Sequence, residues 1–75
     1  MKIKTKKQKQ GWYHIFKDGK TYDVATREDT REWEIKLIVK RNGYDDLEWI
    51  HTVGTLKDAK LLIENNFDFD KAFGN

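Results

Sequence analysis

Two histidines are the only side chains in this 75-residue chain whose ordinary pKa lies near neutrality, where a general base works best. Strand pairing across a turn at Asp18-Gly19 would put His14 opposite Asp23, which on a sheet surface is usually a plain cross-strand contact. His51 falls in an apolar series with Trp49 and Val53, a setting typical of a half-buried packing residue. The sequence also has no cysteine, Gly-rich phosphate loop or Gly-x-Ser-x-Gly motif. It therefore predicts a protein that is not an enzyme.

Acidic residues at Asp45-Asp46 and at Asp68 and Asp70 have the chemistry of calcium ligands but not the loop spacing that surrounds a hard cation. The two histidines likewise lack a recognisable spacing for zinc. These acidic residues are better explained as turn residues and solvated charges. We expect no metal, no cofactor and no small-molecule substrate.

The lysines are concentrated at the N-terminus. Residues 1–10 contain five lysines and no acidic residue, whereas residues 11–75 contain 10 basic and 13 acidic residues, a net charge of −3. The lysines are Lys2, Lys4, Lys6, Lys7 and Lys9. A basic arm of this kind is typical of contact with nucleic acid or another polyanion. Two alternatives are a fraying, solvated terminus and a short edge strand protected by its lysines.

A second candidate surface is aromatic. Trp12, His14 and Phe16 alternate along one predicted strand and share a face, where rings can stack nucleobases or anchor a protein interface. The alternative is that a terminal segment covers this face and makes these rings part of the core. A third surface, Asp45, Asp46 and Glu48, is acidic and would suit a basic groove on a protein partner.

The composition limits the class of protein. Seventy-five residues form one domain, which we place at residues 11–75 behind the basic arm of residues 1–10. The absence of cysteine favours a reducing, cytoplasmic setting. The longest apolar runs, 37–39 and 61–63, are far shorter than the roughly 20 residues that span a membrane. The N-terminal lysines are not followed by the apolar stretch of a secretory signal.

Turn residues indicate the elements that position these side chains. Asp18-Gly19 predicts a two-residue type I′ hairpin that pairs Ile15 with Tyr22 and His14 with Asp23. The core face of this hairpin would carry Tyr13, Ile15, Tyr22 and Val24, and the other face Trp12, His14, Phe16, Thr21, Asp23 and Ala25.

Asn42-Gly43 marks a second hairpin. A two-residue loop there would place apolar residues of one strand opposite acidic residues of the next, so we expect an odd-length loop instead. That register pairs Val39 with Leu47, Leu37 with Trp49, Ile35 with His51 and Trp33 with Val53. A direct pair between Lys40 and Asp45 would contradict it.

Thr55 and Asp58 resemble a capping box at the start of a helix. We expect the helix to end near Asn65-Asn66, because asparagine tolerates the left-handed cap position. The tail Phe67–Phe73 alternates apolar and polar residues, which indicates a short strand or a segment laid over the second face of the sheet. The sequence therefore predicts an α+β fold: an antiparallel sheet of four or five strands in two successive hairpins, followed by one helix packed on one face.

This order of signals, from Gly11-Trp12-Tyr13 through Asp18-Gly19-Lys20 to Thr55-Leu56-Lys57-Asp58-Ala59-Lys60, resembles small phage and mobile-element domains. Its outline is similar to the arm-type DNA-binding domains of tyrosine integrases and to AP2-type domains, over roughly residues 11–67. The resemblance implies an antiparallel sheet that enters a DNA groove. In size and charge the chain also resembles phage-encoded inhibitors, including anti-CRISPR proteins, which occlude a surface of a larger host protein.

Two partner classes follow from these observations. The first is nucleic acid, DNA or RNA, bound by the lysine arm with Trp12, His14 and Phe16 as stacking residues. The second is a host or defence protein whose surface the chain would block through its aromatic or acidic side chains. A self-associating structural protein is a third interpretation, and the sequence leaves the oligomeric state open.

Overall fold

The computed structural model describes residues 3–74, which form one sheet with two helices on one of its faces. The strands are β1 (Lys4–Lys9), β2 (Trp12–Lys17), β3 (Lys20–Thr26), β4 (Trp33–Arg41) and β5 (Tyr44–Val53). They pair antiparallel in sequence order, and helices α1 (Leu56–Glu64) and α2 (Phe69–Phe73) follow. The predicted α+β class is confirmed, with five strands.

The Asp18-Gly19 hairpin has the predicted register. Ile15 pairs with Tyr22 and His14 with Asp23, and the pairing continues to Lys17 opposite Lys20. Both turn residues have positive φ, 51° and 77°, as a type I′ turn requires. The helices pack on the face of Ile15 and Tyr22, as predicted, and we call the opposite face the open face.

The predicted odd loop at Asn42-Gly43 is wrong. Lys40 pairs directly with Asp45 across a two-residue turn whose φ values are both positive, 51° and 85°. The extra residue lies instead in a β-bulge at Ile50, since Ile35 pairs with His51 while Lys36 pairs with Trp49. A bulge inserts one unpaired residue and so changes the face of everything beyond it.

The bulge divides the apolar series of β5 between the two faces. Beyond it, Ile35 pairs with His51 and Trp33 with Val53, as predicted. Before it, Leu37 faces Glu48 and Val39 faces Asp46, contrary to the predicted partners Trp49 and Leu47. As a result, Leu47 and Trp49 lie on the open face rather than in the core.

Helix α1 begins and ends where the sequence indicated. The Thr55 hydroxyl accepts a 3.0 Å hydrogen bond from the Asp58 amide, and Asn65 is the C-cap. Asn66 follows with φ of 55°. The core lies between α1 and the sheet and consists of nine buried residues: Ile15, Tyr22, Val24, Ile35, Val53, Ala59, Leu62, Ile63 and Ala72.

The prediction of a strand, or of a cover for the second face, is wrong for the C-terminal tail. Residues Phe69–Phe73 form helix α2, whose N-cap Asp68 accepts from the Lys71 amide and whose C-cap Gly74 is left-handed. The tail stays on the helix side, because Phe67 packs on Tyr22 and Phe69 on His51. Within residues 3–74 no helix covers the open face, and no helix is long and apolar enough to cross a membrane.

Candidate functional site

Three rings form a row along β2 on the open face. Trp12, His14 and Phe16 occupy alternate positions of the strand, so they point the same way. Each ring meets the next edge to face: the Trp12 and His14 centroids are 5.7 Å apart, and those of His14 and Phe16 are 6.4 Å apart. All three side chains are half-buried, so the structure places the predicted residues together on an uncovered surface.

Asp23 on β3 fixes this row. Its Oδ2 accepts a 2.7 Å hydrogen bond from the Trp12 indole Nε1 and lies 3.4 Å from the His14 Nε2. The carboxylate is itself largely shielded from solvent. Because one oxygen serves both rings, the Trp12 ring is held in one orientation before any ligand arrives.

Each ring has a lysine directly across from it on β1. The strand pairing places Lys4 opposite Phe16 and Lys6 opposite His14. A register shift between Lys7 and Lys9 then puts Lys9, instead of Gln8, opposite Trp12. The Lys9 Nζ lies 5.9 Å from the centroid of the Trp12 ring, within the range of a cation–π contact.

Not every lysine of the predicted arm joins this set. Lys7 pairs with Tyr13, and its side chain therefore belongs to the helix side of the sheet. Lys2 lies outside the described residues. Lys4, Lys6 and Lys9 are exposed, so the arm is an edge strand whose cationic groups line one side of the aromatic row.

Acidic side chains on the rest of the open face are mostly paired. Glu34 lies 3.5 Å from Arg27 and 3.8 Å from Lys36, both measured between charged atoms. Asp23 is engaged by Trp12 and His14. Among the residues that the structure describes, the positive charge without an acidic partner therefore concentrates along β1, and the aromatic row beside it is the most favourable part of the open face for an anion.

The predicted acidic surface does not form one patch. Asp46 and Glu48 share the helix side, where Arg41 lies 3.5 Å from the first carboxylate and 3.2 Å from the second. Asp45 is opposite Lys40 on the open face. The three residues share an exposed edge strand rather than a face, which makes them less suited to one basic groove than the sequence indicated.

The second histidine has no charged partner among residues 3–74. The half-buried His51 ring lies edge-on to Phe69, with centroids 5.0 Å apart. His14 and His51 lie on opposite faces of the sheet because they pair with Asp23 and Ile35, respectively. Among the described residues, no three His, Cys, Asp or Glu side chains are close enough together to hold a metal ion.

Sequence reasoning missed two features that shape this site. It did not predict the hydrogen bond between Trp12 and Asp23, because this bond is diagonal and does not join directly paired residues. It also missed the burial of Lys17, although alternation with Tyr13 and Ile15 placed this lysine on the core face. Lys17 is 5% exposed, and its Nζ donates to the carbonyl oxygens of Ile63 and Glu64.

Comparison with protein-family models, with curated proteins and with solved structures yields no match to this chain. The resemblance to integrase arm-type and AP2-type domains thus remains a prediction from the order of turns and caps. The functional assignment rests on the geometry of the open face.

Proposed function

We propose that this protein binds single-stranded nucleic acid along strands β1 and β2 of its open face. The observation that carries the proposal is the cross-strand match of three lysines with three rings. The lysines Lys4, Lys6 and Lys9 would contact successive phosphates, and the rings of Phe16, His14 and Trp12 would stack on the bases between them.

The spacing of the rings supports a short single strand. Adjacent ring centroids lie 5.7 and 6.4 Å apart, and three rings offer stacking positions for about three bases. Stacking of this kind tolerates any base, because every base has a π-face. We therefore expect weak sequence preference and an affinity that depends on salt.

The charges of the open face favour a single strand over a duplex. A duplex pressed onto the whole sheet would bring phosphates near Glu34 and Asp45, whereas a strand lying over β1 and β2 avoids both. A sheet that enters a DNA groove needs a more uniformly basic face. This is a departure from the integrase-like and AP2-like mode of binding that the sequence resemblance implied.

Binding to fluorescently labelled strands of about 12 nucleotides tests the proposal. The probes are oligothymidylate, oligouridylate and a DNA duplex of the same length, which separate DNA from RNA and single from double strands. We expect both single strands to bind more tightly than the duplex. Absence of binding at low salt by a folded protein would contradict the proposal and favour a protein partner of the inhibitor type.

One pair of variants locates the site. Phe16→Ala should weaken binding by about 1–3 kcal/mol, the value of one base–aromatic stack. Trp49→Ala is the matched control, because Trp49 is an exposed ring on the same face but on β5, which three strands separate from the lysines of β1. Circular dichroism checks that each variant is folded. Equal losses in the two variants would place binding elsewhere on the sheet.

A further inference from the structure

The two free edges of the sheet have opposite chemistry. Strand β1 pairs only with β2 and β5 only with β4, so each has one row of backbone groups unpaired within the described chain. Every residue of β1 is exposed, and four of its six residues are lysines with no acid among them. Residues 44–49 of β5 are also exposed and include Asp45, Asp46 and Glu48.

The charges on these edges match in sequence order. Residues 6–9 read Lys-Lys-Gln-Lys, and residues 45–48 read Asp-Asp-Leu-Glu. Side by side in the same direction, the two segments place a lysine beside each acid: Lys6 beside Asp45, Lys7 beside Asp46 and Lys9 beside Glu48. Read in opposite directions, the same segments align two lysines with acids instead of three.

The faces of the sheet match for two of these three pairs in the parallel alignment, whereas Lys9 lies on the open face opposite Trp12 and Glu48 on the helix side opposite Leu37. Lys6 pairs with His14 and Asp45 with Lys40, and both belong to the open face. Lys7 pairs with Tyr13 and Asp46 with Val39, and both belong to the helix side. Moreover, β1 and β5 run in the same direction, because three strands separate them in an antiparallel meander. A second copy displaced sideways in the plane of the sheet therefore places its β1 parallel to β5 of the first copy. The open faces of the two copies then point in the same direction.

We propose that copies of this chain associate edge to edge, with β1 of one copy adding as a parallel strand to β5 of the next. Pairing between two β1 edges would oppose lysines, and pairing between two β5 edges would oppose carboxylates, so both like-edge contacts are repelled. The aliphatic stems of the lysines also cover Leu47 and Trp49, which are 49% and 56% exposed on β5 in the single chain.

The contact is heterologous, since it joins two different surfaces. Repeating it adds copies in one direction, and the natural twist of a sheet turns each copy relative to the last, which produces an open chain instead of a closed dimer. The interface is one short strand wide and largely charged. We therefore expect weak association that grows with protein concentration and falls by about tenfold or more between about 50 and 200 mM salt.

Sedimentation velocity on the full-length protein without nucleic acid tests this inference. We expect the average mass to rise with concentration beyond that of a dimer at low salt and to return to the monomer at high salt. A monomer at every concentration at low salt would overturn the proposal. A closed dimer, or association that salt does not weaken, would overturn it too.

Charge reversal identifies the surfaces. The triple variant Lys6→Glu/Lys7→Glu/Lys9→Glu and the triple variant Asp45→Lys/Asp46→Lys/Glu48→Lys should each be monomeric alone. Mixed together they should associate again, because the reversed β1 of one meets the reversed β5 of the other. Association of either variant alone, or no association of the folded mixture, would overturn the proposal.

Two controls keep this test independent of folding and of net charge. The variant Glu28→Lys/Glu32→Lys/Glu64→Lys changes the net charge as much as the β5 variant does, at exposed positions outside β1 and β5, and should still associate. If the reversed β5 variant proves unfolded, the neutral variant Asp45→Asn/Asp46→Asn/Glu48→Gln replaces it, because it avoids added repulsion with Arg41. This neutral variant should associate more weakly than the wild type. Unchanged association would overturn the proposal. Nucleic-acid binding is measured in a separate experiment, so the outcome of the association test neither supports nor contradicts the proposed function.

Discussion

The indole Nε1 of Trp12 donates a 2.7 Å hydrogen bond to Oδ2 of Asp23 on the neighbouring strand. The bond connects a ring of the aromatic row to the only acidic side chain that forms a hydrogen bond or ion pair with the row among the described residues. Asp23 therefore has two opposing effects on the proposed site: it orients the stacking surface and places a negative charge beside it.

Two substitutions of Asp23 separate these effects. Asp23→Leu leaves the partly buried indole N–H without an acceptor and should cost about 1–3 kcal/mol of unfolding free energy in urea titrations. Asp23→Asn keeps an acceptor oxygen and removes the charge, so it should change stability by less than about 1 kcal/mol and strengthen oligonucleotide binding about two- to fivefold. Weaker binding by a stable Asp23→Asn variant would show that the carboxylate does more than hold the ring.

Lys17 is expected to be the lysine most important for stability. Its buried ammonium donates 3.0 Å hydrogen bonds to the carbonyls of Ile63 and Glu64 at the end of α1, and a third to the Asn66 side chain. Lys17→Met keeps the length of the side chain but leaves these acceptors unpaired, and should cost about 2–3 kcal/mol in chemical denaturation. Lys20→Met is the matched control, because Lys20 is the exposed residue that pairs with Lys17 across the hairpin. We expect it to change the free energy of unfolding by no more than about 0.5 kcal/mol. Equal effects of the two would contradict a capping role.

Gly11 controls the attachment of β1 to β2. It has φ of +80°, and a Cβ there would lie 2.8 Å from Cγ2 of Thr26. Gly11→Ala combines left-handed strain with this clash, so we expect it to lower the free energy of unfolding by at least about 1–2 kcal/mol. Gly43→Ala shares the positive φ without the clash and should be milder, whereas Gly54→Ala has neither and should be near neutral. Thermal unfolding of the three variants tests this order of destabilisation.

Stability should fall at high pH because of Tyr22. Burial raises the pKa of the Tyr22 hydroxyl above its ordinary value of 10.0, and the nearby carboxylate of Asp18 adds to the effect. The folded state thus favours the neutral form, so this contribution is complete below about pH 10 and is lost as the pH rises through the folded-state pKa. Tyr22→Phe should reduce the dependence of unfolding free energy on pH above pH 10 relative to the wild type. Identical pH profiles would show that ionisation of Tyr22 is not linked to unfolding.

Local sequence signals determined most of the fold. Asp18-Gly19 specified both the turn and the full register of its hairpin, because a two-residue type I′ loop leaves no freedom in pairing. The error in the second hairpin has a definite cause: one extra residue in the loop and one extra residue at Ile50 both bring Ile35 opposite His51. Only packing of the distant strand ends distinguishes the two, and that is not a local property of the sequence.

The candidate site was predictable in part. Alternation put the three rings on one face, but the pairing of Lys9 with Trp12 depends on a bulge between Lys7 and Lys9 that has no local signature. The C-terminal tail shows the opposite case. Asp68 and Gly74 were visible cap signals for α2, yet the alternation of apolar and polar residues between them indicated a strand.

The most direct test of nucleic-acid binding through β1 is the dependence of affinity for oligothymidylate on salt. Three phosphate contacts predict that log K falls with log salt at a slope of about −2. The variant Lys4→Gln/Lys6→Gln/Lys9→Gln should lose most of this slope. The control Lys57→Gln/Lys60→Gln/Lys71→Gln removes the same charge from the two helices and should keep it. A slope that survives in the β1 variant, or no binding by the wild type at low salt, would contradict the assignment of β1 as the phosphate-binding strand.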